Sequence, residues 1–332
     1  YIVSGLINYC HMTVLAENRG DRENFWRRKK IRLVLVPFCF GNQLILAFLE
    51  YLYFIVNLRK KRFDILHANQ LSGLFFALVR PKNIDTLVVS IHSSNFDLAN
   101  MTKSFLKKVI LYPFLMSLER ILYKRADVLL FHSPLEKNEV NRYFDLRGKK
   151  TALIPMGVSS ATITRLQRLR YKKRLKKLLH VGNNTKIVLT VARLSEKKNV
   201  ENVVDALAII YRQNSNVRGI IVGDGPRRSR LRKRAAPNTY FLGAVDVSEL
   251  PFFYAGSDLF VLTSVAEGGV SLAAMEAASF GLPLLLSPAI ADGVLEDGKN
   301  GFIIDPDKPQ LLARKITLAL KRLEKMRNGG LK

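Results

Sequence analysis

The chain has 332 residues, of which 48% are hydrophobic, and this is enough apolar material for two cores of ordinary size. Neither Cys10 nor Cys39 belongs to a C-x-x-C pair or lies near a cluster of histidines, so the sequence supports neither a disulfide framework nor a zinc site. The formal net charge of +26 at pH 7 predicts attraction to polyanions, namely nucleic acid, an anionic membrane or a phosphorylated substrate, without choosing among them.

Short runs of β-branched and apolar residues alternate with longer helical patterns, which is typical of β-α-β units around parallel sheets. In the first half of the chain, such runs predict strands at residues 12–15, 32–36, 64–67, 87–91, 128–131 and 152–154. After the strand 128–131, Ser133 can cap a helix, and Glu136 three residues later completes a capping box. His132 is therefore predicted at a strand end, where it and His67 are interpreted as structural residues.

The most apolar stretch, Leu44 to Leu58, is broken by Glu50 and Asn57. The sequence opens at Tyr1 and shows no signal-peptide pattern. We therefore expect no transmembrane span.

A strongly basic segment separates the two halves of the chain. Residues 165–177, RLQRLRYKKRLKK, include eight Lys or Arg residues and no acid. We predict an N-terminal domain over residues 1–165, a basic linker over 166–185 and a C-terminal domain over 186–332. The basic segment itself is compatible with a solvated linker helix, with membrane docking and with nucleic-acid binding.

The second half repeats the alternation of strands and helices. Strands are predicted at residues 186–192, 219–222, 240–242, 259–262 and 283–286. Helices are predicted from about Asn199, over 272–278 and after Lys308.

Ligands of open parallel sheets bind at the carboxyl ends of the strands, where loops and helix N-termini present free N–H groups. Arg193 and Lys198 lie five residues apart in the loop after the first strand of the second half, so both can face one phosphate group. The tight turn 223–226, G-D-G-P, follows the next strand, 219–222, and is expected to shape the same edge of the sheet. The glycine loop 267–271 lets backbone N–H groups approach a ligand closely, and Glu276 follows it on a helix.

Three segments at these strand ends, V-A-R-L-S-E-K-K-N, I-I-V-G-D-G-P and E-G-G-V-S-L-A-A-M-E-A-A-S-F-G-L-P, resemble the signature of the retaining GT-B glycosyltransferases of family GT4. The stretches A-D-V-L-L-F-H-S at 126–133, L-I-P-M-G-V at 153–158 and E-D-G-K-N-G-F at 296–302 extend the resemblance over nearly the whole chain. Each stretch is weak alone, whereas their order and spacing are specific. The resemblance implies an α/β fold of the GT-B type, with two Rossmann-like domains whose parallel sheets face a cleft.

The resemblance also implies roles for individual residues. Arg193 and Lys198 would hold the diphosphate of a UDP-sugar or GDP-sugar donor, so neither a metal nor another cofactor is expected. Glu276 would hydrogen-bond the donor, at the ribose. His92 would reach the sugar from the first domain, and Glu267 is the second catalytic candidate. Backbone N–H groups around the phosphate and hexose would come from Gly268, Gly269, Val270, Ser271 and Leu272.

The sequence departs from the family pattern in places. Eight residues separate Glu267 from Glu276 where the family usually has seven, which leaves the contact of Glu267 with the sugar open. The segment 9–15 resembles the family's G-H-x-V-T-V strand entry, so the chain is expected to begin inside the first helix, without the first strand. Its C-terminus is expected to stop before the helices that cross back to the first domain.

We expect transfer of a hexosyl group, with retention of anomeric configuration, to a glycan or lipid-linked acceptor. The protein is expected to be cytoplasmic and to dock on an anionic membrane at its inner face, because the cations of 103–125 alternate with large apolar groups. The alternative is a non-catalytic, degenerate relative that binds a polyanion such as nucleic acid. Nucleic acid is disfavoured because the sequence shows no basic motif with interleaved aromatic residues for base stacking.

Overall fold

The computed structural model describes residues 11, 13–17, 32–36, 43–91, 105, 107–158, 163–213, 216–265 and 271–322. The chain divides into two compact units, Tyr1–Pro155 and Met156–Lys332. This division lies about ten residues before the end of the N-terminal domain that the sequence predicts.

Unit 1 contains parallel strands in two sheets, and each strand overlaps one of those predicted. Strands β1 (Thr13–Glu17) and β2 (Arg32–Val36) pair with each other. A second sheet places four strands side by side in chain order: β3 (Phe63–Asn69), β4 (Ile84–Ser90), β5 (Val128–Phe131) and β6 (Lys150–Leu153).

The helices of unit 1 are α1 (Gln43–Asn57), α2 (Leu74–Leu78), α3 (Tyr112–Arg125) and α4 (Pro134–Tyr143). A 3-10 turn over Gln70–Gly73 precedes α2, and a π-helical turn over Lys107–Leu111 precedes α3. Pro113 lies in the first turn of α3, where its missing N–H breaks no helical hydrogen bond of that helix. The core under these helices is apolar and includes Leu87, Val89, Leu122, Leu129 and Phe131.

Ser133 caps α4 as predicted, because its hydroxyl accepts a hydrogen bond from the backbone N–H of Glu136 at 3.0 Å. The second half of the box differs from the prediction. The Glu136 carboxylate accepts from the backbone N–H of His132 at 2.7 Å, one residue before the cap. The buried carboxylate therefore fastens the end of β5 to the start of α4.

Unit 2 is a six-stranded parallel sheet with the order β12-β11-β10-β7-β8-β9. Its strands are β7 (Lys186–Val191), β8 (Val217–Val222), β9 (Thr239–Gly243), β10 (Leu259–Leu262), β11 (Leu284–Leu286) and β12 (Gly301–Ile303). The sequence predicts the first five and misses β12, because that short strand begins with a glycine and lacks the continuous apolar run of β11.

The helices of unit 2 cover both faces of this sheet. They are α5 (Arg165–Leu178), α6 (Val200–Arg212), α7 (Arg228–Arg234), α8 (Leu250–Gly256), α9 (Leu272–Ser279), α10 (Pro288–Ala291) and α11 (Pro309–Lys321). Alternate residues of β7 enter different cores: Leu189 packs on the side of α8 and α9, and Val188 packs on the side of α6 and α11.

The basic segment predicted as a linker forms α5 in the structure. This helix packs against α8 and so belongs to unit 2, which differs from the prediction. Three of its cations face inward. Arg168 donates to the carbonyl of Phe280, Lys172 pairs with the buried Asp258, and Lys176 donates to the carbonyl of Asn183. Helical spacing of four residues puts these three cations on one face. They therefore bind groups inside unit 2 and are not part of its exposed basic surface.

Among the described residues, none of the helices has both the length and the apolar character needed to cross a lipid bilayer.

Candidate functional site

The carboxyl edge of the unit 2 sheet has a topological switch point. The chain proceeds outward from β7 through β8 and β9, and then crosses to β10 on the other side of β7. Ligands of doubly wound sheets bind outside the strand ends at such a point. The loop that follows β7 starts there, and it contains two of the donor-binding residues predicted from the sequence, Arg193 and Lys198.

The loop after β7 is locked to the turn after β8. The backbone N–H of Leu194 donates to the carbonyl of Asp224 at 2.9 Å, and the N–H of Arg227 donates to the carbonyl of Leu194 at 3.0 Å. Gly223 has φ of +131°, and a Cβ there would lie 1.9 Å from the carbonyl oxygen of Ala192. The G-D-G-P turn therefore requires glycine at its first position, and it fixes the backbone on either side of Arg193.

The other end of this loop is fixed to β10. Lys198 closes a 3-10 turn over Glu196–Lys198, and Asn199 follows in the left-handed conformation with φ of 46°. The hydroxyl of Thr263, just after β10, donates to the carbonyl of Asn199 at 2.8 Å. The N–H of Val265 donates to the carbonyl of Lys197 at 2.9 Å. The backbone of Lys198 is thereby held next to the segment that leads into the glycine loop.

Arg193 and Lys198 thus belong to one loop that is anchored at both ends. The side chain of Arg193 is exposed and that of Lys198 is half-buried. That both cations bind a single diphosphate stays a prediction.

Glu276 lies on α9, half-buried, and the hydroxyl of Tyr254 donates to its Oε2 at 2.9 Å. Tyr254 is only 1% exposed, and its ring stacks on Phe280 with the centroids 5.4 Å apart. Ser271 is buried at the N-cap of α9, and Leu272 is the first residue of that helix. The acid therefore has a fixed partner in the interior of unit 2.

Five of the predicted site residues fall outside the described residues. They are His92, Glu267, Gly268, Gly269 and Val270.

The polar groups at the strand ends of unit 1 bind one another. Nε2 of His67 lies 2.6 Å from Oγ of Ser90, and Nδ1 of His132 lies 3.0 Å from the carbonyl oxygen of Ile154. Burial, with a smaller contribution from His132, lowers the pKa of His67. Burial also raises the pKa of the Glu136 carboxyl to about 7. The contacts agree with the structural interpretation of both histidines.

Sequence reasoning missed two groups that shape the donor edge. Arg227 pairs with both Glu196 and Glu201, and Tyr254 orients Glu276. Arg227 and Glu201 are 26 residues apart, and Tyr254 and Glu276 are 22 apart, so no local pattern reveals either contact. In the part of the chain that the structure describes, no three or more His, Cys, Asp or Glu residues form a group that could hold a metal ion.

Two family models match this chain, one on each half. The model described as Glycosyltransferase Family 4 matches residues 4–162, and the model described as Glycosyl transferases group 1 matches residues 172–330. The chain belongs to the GT4-like glycosyltransferases. These enzymes transfer sugars, and membership of the family confirms the class predicted from the sequence.

Curated relatives belong to the same class. An uncharacterized glycosyltransferase from Methanocaldococcus jannaschii is 28% identical over 272 residues, which is 78% of this chain and 67% of the relative. The alpha-monoglucosyldiacylglycerol synthase of Acholeplasma laidlawii is 30% identical over 169 residues, which is 47% of this chain and 41% of the relative. The match to the second relative therefore spans less than half of its length.

Solved structures confirm the fold of this GT4-like glycosyltransferase. The crystal structure of Anabaena HepE in complex with UDP and glucose superposes with a TM-score of 0.76 at 20% identity, covering 99% of this chain and 87% of HepE. The parallel sheets of the two units and this likeness identify the fold as GT-B, as predicted.

Proposed function

We propose that this protein is a retaining glycosyltransferase that moves a hexosyl group from a nucleotide diphosphate sugar to a glycan or lipid-linked acceptor. The observation that carries the proposal is the anchored loop 193–199 at the switch point of unit 2, which contains Arg193 and Lys198 and is fastened to the end of β10. A diphosphate is the ligand that such an edge suits best, because the cations and the backbone N–H groups both favour anions.

In this proposal the donor is UDP-linked or GDP-linked. Arg193 and Lys198 bind its diphosphate and stabilise the negative charge that develops on it as it leaves. Glu276 accepts from the ribose hydroxyls, while Tyr254 keeps one of its oxygens in place. The cations would supply the charge that a metal supplies in other transferases, so no metal is required.

Retention follows from attack on the face that the leaving group occupies. The acceptor oxygen bonds to the anomeric carbon, the bond from that carbon to the phosphate oxygen breaks, and the acceptor proton passes to the departing diphosphate. His92 and Glu267 are assigned to the sugar, and Ser271 and Leu272 to its phosphate through their backbone N–H groups. HepE was solved with UDP and glucose, which supports a nucleotide-linked hexose as donor.

The acceptor is proposed to be glycan or lipid-linked and presented at the cytoplasmic face of an anionic membrane. The name of the Acholeplasma laidlawii relative, a glucosyldiacylglycerol synthase, supports a lipid acceptor. On unit 1, α2 packs against both α1 and α3, so the three helices form one layer. The apolar face of unit 1 is defined here as the exposed large apolar side chains of α1 and of residues 109–121. These are Ile45, Phe48, Leu52, Val56, Val109, Ile110, Leu111, Phe114 and Ile121.

This apolar face has cations beside it, which favours a lipid headgroup layer over nucleic acid. Arg59, Lys60 and Lys61 are exposed just after α1, and Arg120 and Lys124 are exposed on α3. Apolar groups can enter the acyl boundary while Lys and Arg meet anionic headgroups. The contribution predicted for α5 is smaller, because its Arg168, Lys172 and Lys176 face inward.

The test is a thermal-shift panel of nucleotide diphosphate sugars, followed by NMR of the product formed from the sugar that binds. A ligand at a hundred times its dissociation constant stabilises a protein by roughly 2.7 kcal/mol, which is easily measured. We expect stabilisation by a UDP-sugar or GDP-sugar and an anomeric configuration that matches the donor. A protein that binds RNA and none of these sugars would support the non-catalytic alternative instead.

A further inference from the structure

Arg227 connects three parts of unit 2 at the edge where the donor is proposed to bind. Its Nη1 lies 2.6 Å from Oε1 of Glu201, and its Nη2 lies 3.0 Å from Oε1 of Glu196. Its backbone N–H donates to the carbonyl of Leu194. One planar guanidinium therefore binds two carboxylates at once, which a lysine ammonium does less well.

The two carboxylates occupy different environments. Glu201 lies in the first turn of α6 and is buried. Glu196 begins the 3-10 turn that ends at Lys198, and its side chain is 53% exposed. Glu196 is thus an acid two residues from a cation that is assigned to the donor diphosphate. An unneutralised carboxylate there would attract Lys198 and repel a phosphate.

Arg227 is the N-cap residue of α7, and a second ion pair links α7 to α6 without reaching this loop. Arg234 on α7 binds Asp205 on α6, with its Nη2 2.6 Å from Oδ2. Asp205 lies one helical turn after Glu201. The two pairs therefore dock α7 on α6 in the same way, and only Arg227 also binds Glu196.

We propose that Arg227 is a positioning residue for the donor diphosphate, which acts by binding Glu196 and keeping its charge away from Lys198. This inference rests on the proposed function of the site, and it adds a residue that touches no substrate. It predicts that the effect of losing Arg227 depends on the presence of Glu196.

The experiment measures dissociation constants of UDP, GDP, ADP and dTDP, and of the matching nucleoside monophosphates, by calorimetry, together with thermal melting. In Arg227→Met we expect the preferred diphosphate to bind about tenfold more weakly, and we expect a smaller decrease in the affinity of the matching monophosphate. A tenfold decrease is typical of coupled residues in one ion-pair network. Arg227→Lys should fall between this variant and the wild type, because its ammonium retains one of the two carboxylates.

Two variants separate positioning from general stabilisation. Arg234→Met should melt at a lower temperature yet bind the diphosphate within about twofold of the wild type, since it leaves Glu196 paired. Adding Glu196→Ala to Arg227→Met should restore affinity to within about threefold of the wild type, because the unpaired acid is gone.

Equal losses of diphosphate affinity in Arg227→Met and Arg234→Met, or no recovery in the double variant, would overturn the positioning role while leaving the donor site intact. If Arg227→Met does not fold, Arg227→Lys with and without Glu196→Ala decides by the same comparison. A wild-type protein that binds none of the four diphosphates would overturn the proposed donor site, and the role of Arg227 with it.

Discussion

The hydroxyl of Tyr254 donates a hydrogen bond of 2.9 Å to Oε2 of Glu276, a residue 22 positions later in the chain and on a different helix. Tyr254 is buried in α8, and Glu276 lies half-buried on α9, a helix whose other residues are mostly alanine and other apolar types. A carboxylate in such surroundings needs a polar partner. The tyrosine therefore gives the acid a defined orientation at the edge of the sheet.

Tyr254→Phe should weaken nucleoside diphosphate binding by about 0.5–1.5 kcal/mol, the net contribution of one hydrogen bond, because Glu276 loses its fixed orientation. Calorimetry checks this. Tyr240→Phe is the matched control, since it removes a hydroxyl of the same unit that donates to the carbonyl of Leu179 at 3.4 Å. Equal effects of the two substitutions on binding would contradict a specific role for Tyr254.

Gly223→Ala should destabilise unit 2 by roughly 2 kcal/mol or more, because the new Cβ meets the backbone of Ala192 in a region of backbone conformation that disfavours side chains. Gly148→Ala is the control, with φ of +71° and no atom within 4 Å of the added Cβ. Its cost should be close to 1 kcal/mol, the backbone term alone. Urea unfolding distinguishes the two, and equal costs would show that the G-D-G-P turn does not lock the loop after β7.

Glu136 should make the stability of unit 1 depend on pH. Burial raises the pKa of its carboxyl from 4.5 to about 7, so the folded protein favours the neutral acid. The stabilisation is complete below the unfolded value of 4.5 and is lost as the pH rises through about 7. Between pH 5 and 8 we expect the opening free energy of α4 to fall by on the order of 1–3 kcal/mol.

Native-state hydrogen exchange of the α4 amides measures this fall. Glu136→Gln cannot ionise and keeps an oxygen for the N–H of His132, so its profile should be flat over the same range. Asp64→Asn, which changes an exposed acid of the same unit, should retain the wild-type slope. A wild-type profile that is flat, or that rises with pH, would be incompatible with a buried acid of raised pKa.

The elements that the sequence predicts well are those with a local signal. Apolar runs predict β5 and β10 with their observed bounds, and the chemistry of Ser133 predicts the start of α4. The inward cations of α5 were not predicted, because Lys172 finds its partner Asp258 through tertiary packing and the local charge pattern resembles a solvated helix. The sequence does not indicate the ion pairs of Arg227 for the same reason, since both of its partners lie earlier in the chain on other elements.

Membrane docking should depend on the apolar face of unit 1. Phe114→Ser removes a large side chain that is 54% exposed on α3, and binding to anionic vesicles should fall about tenfold, within the range expected for losing one inserted apolar group. Vesicle flotation with a competing RNA measures this, since salt sensitivity is common to both partners. Leu311→Ser, at a comparably exposed site on α11 of unit 2, is the control and should bind like the wild type.

Binding of RNA in preference to anionic vesicles at physiological salt would contradict the membrane proposal. Equal vesicle binding by Phe114→Ser and the wild type would remove α3 from the docking surface.

The most direct test of the central claim is the calorimetric affinity of nucleoside diphosphates for the wild type, Arg193→Ala and Lys198→Ala, measured in the presence of EDTA. We expect the wild type to bind UDP or GDP without a divalent cation. Each substitution should cost about 1.5–3 kcal/mol, the contribution of a hydrogen bond to a charged group. Unchanged affinity in both variants, or loss of wild-type binding on adding EDTA, would contradict a donor site in which these two cations hold the diphosphate.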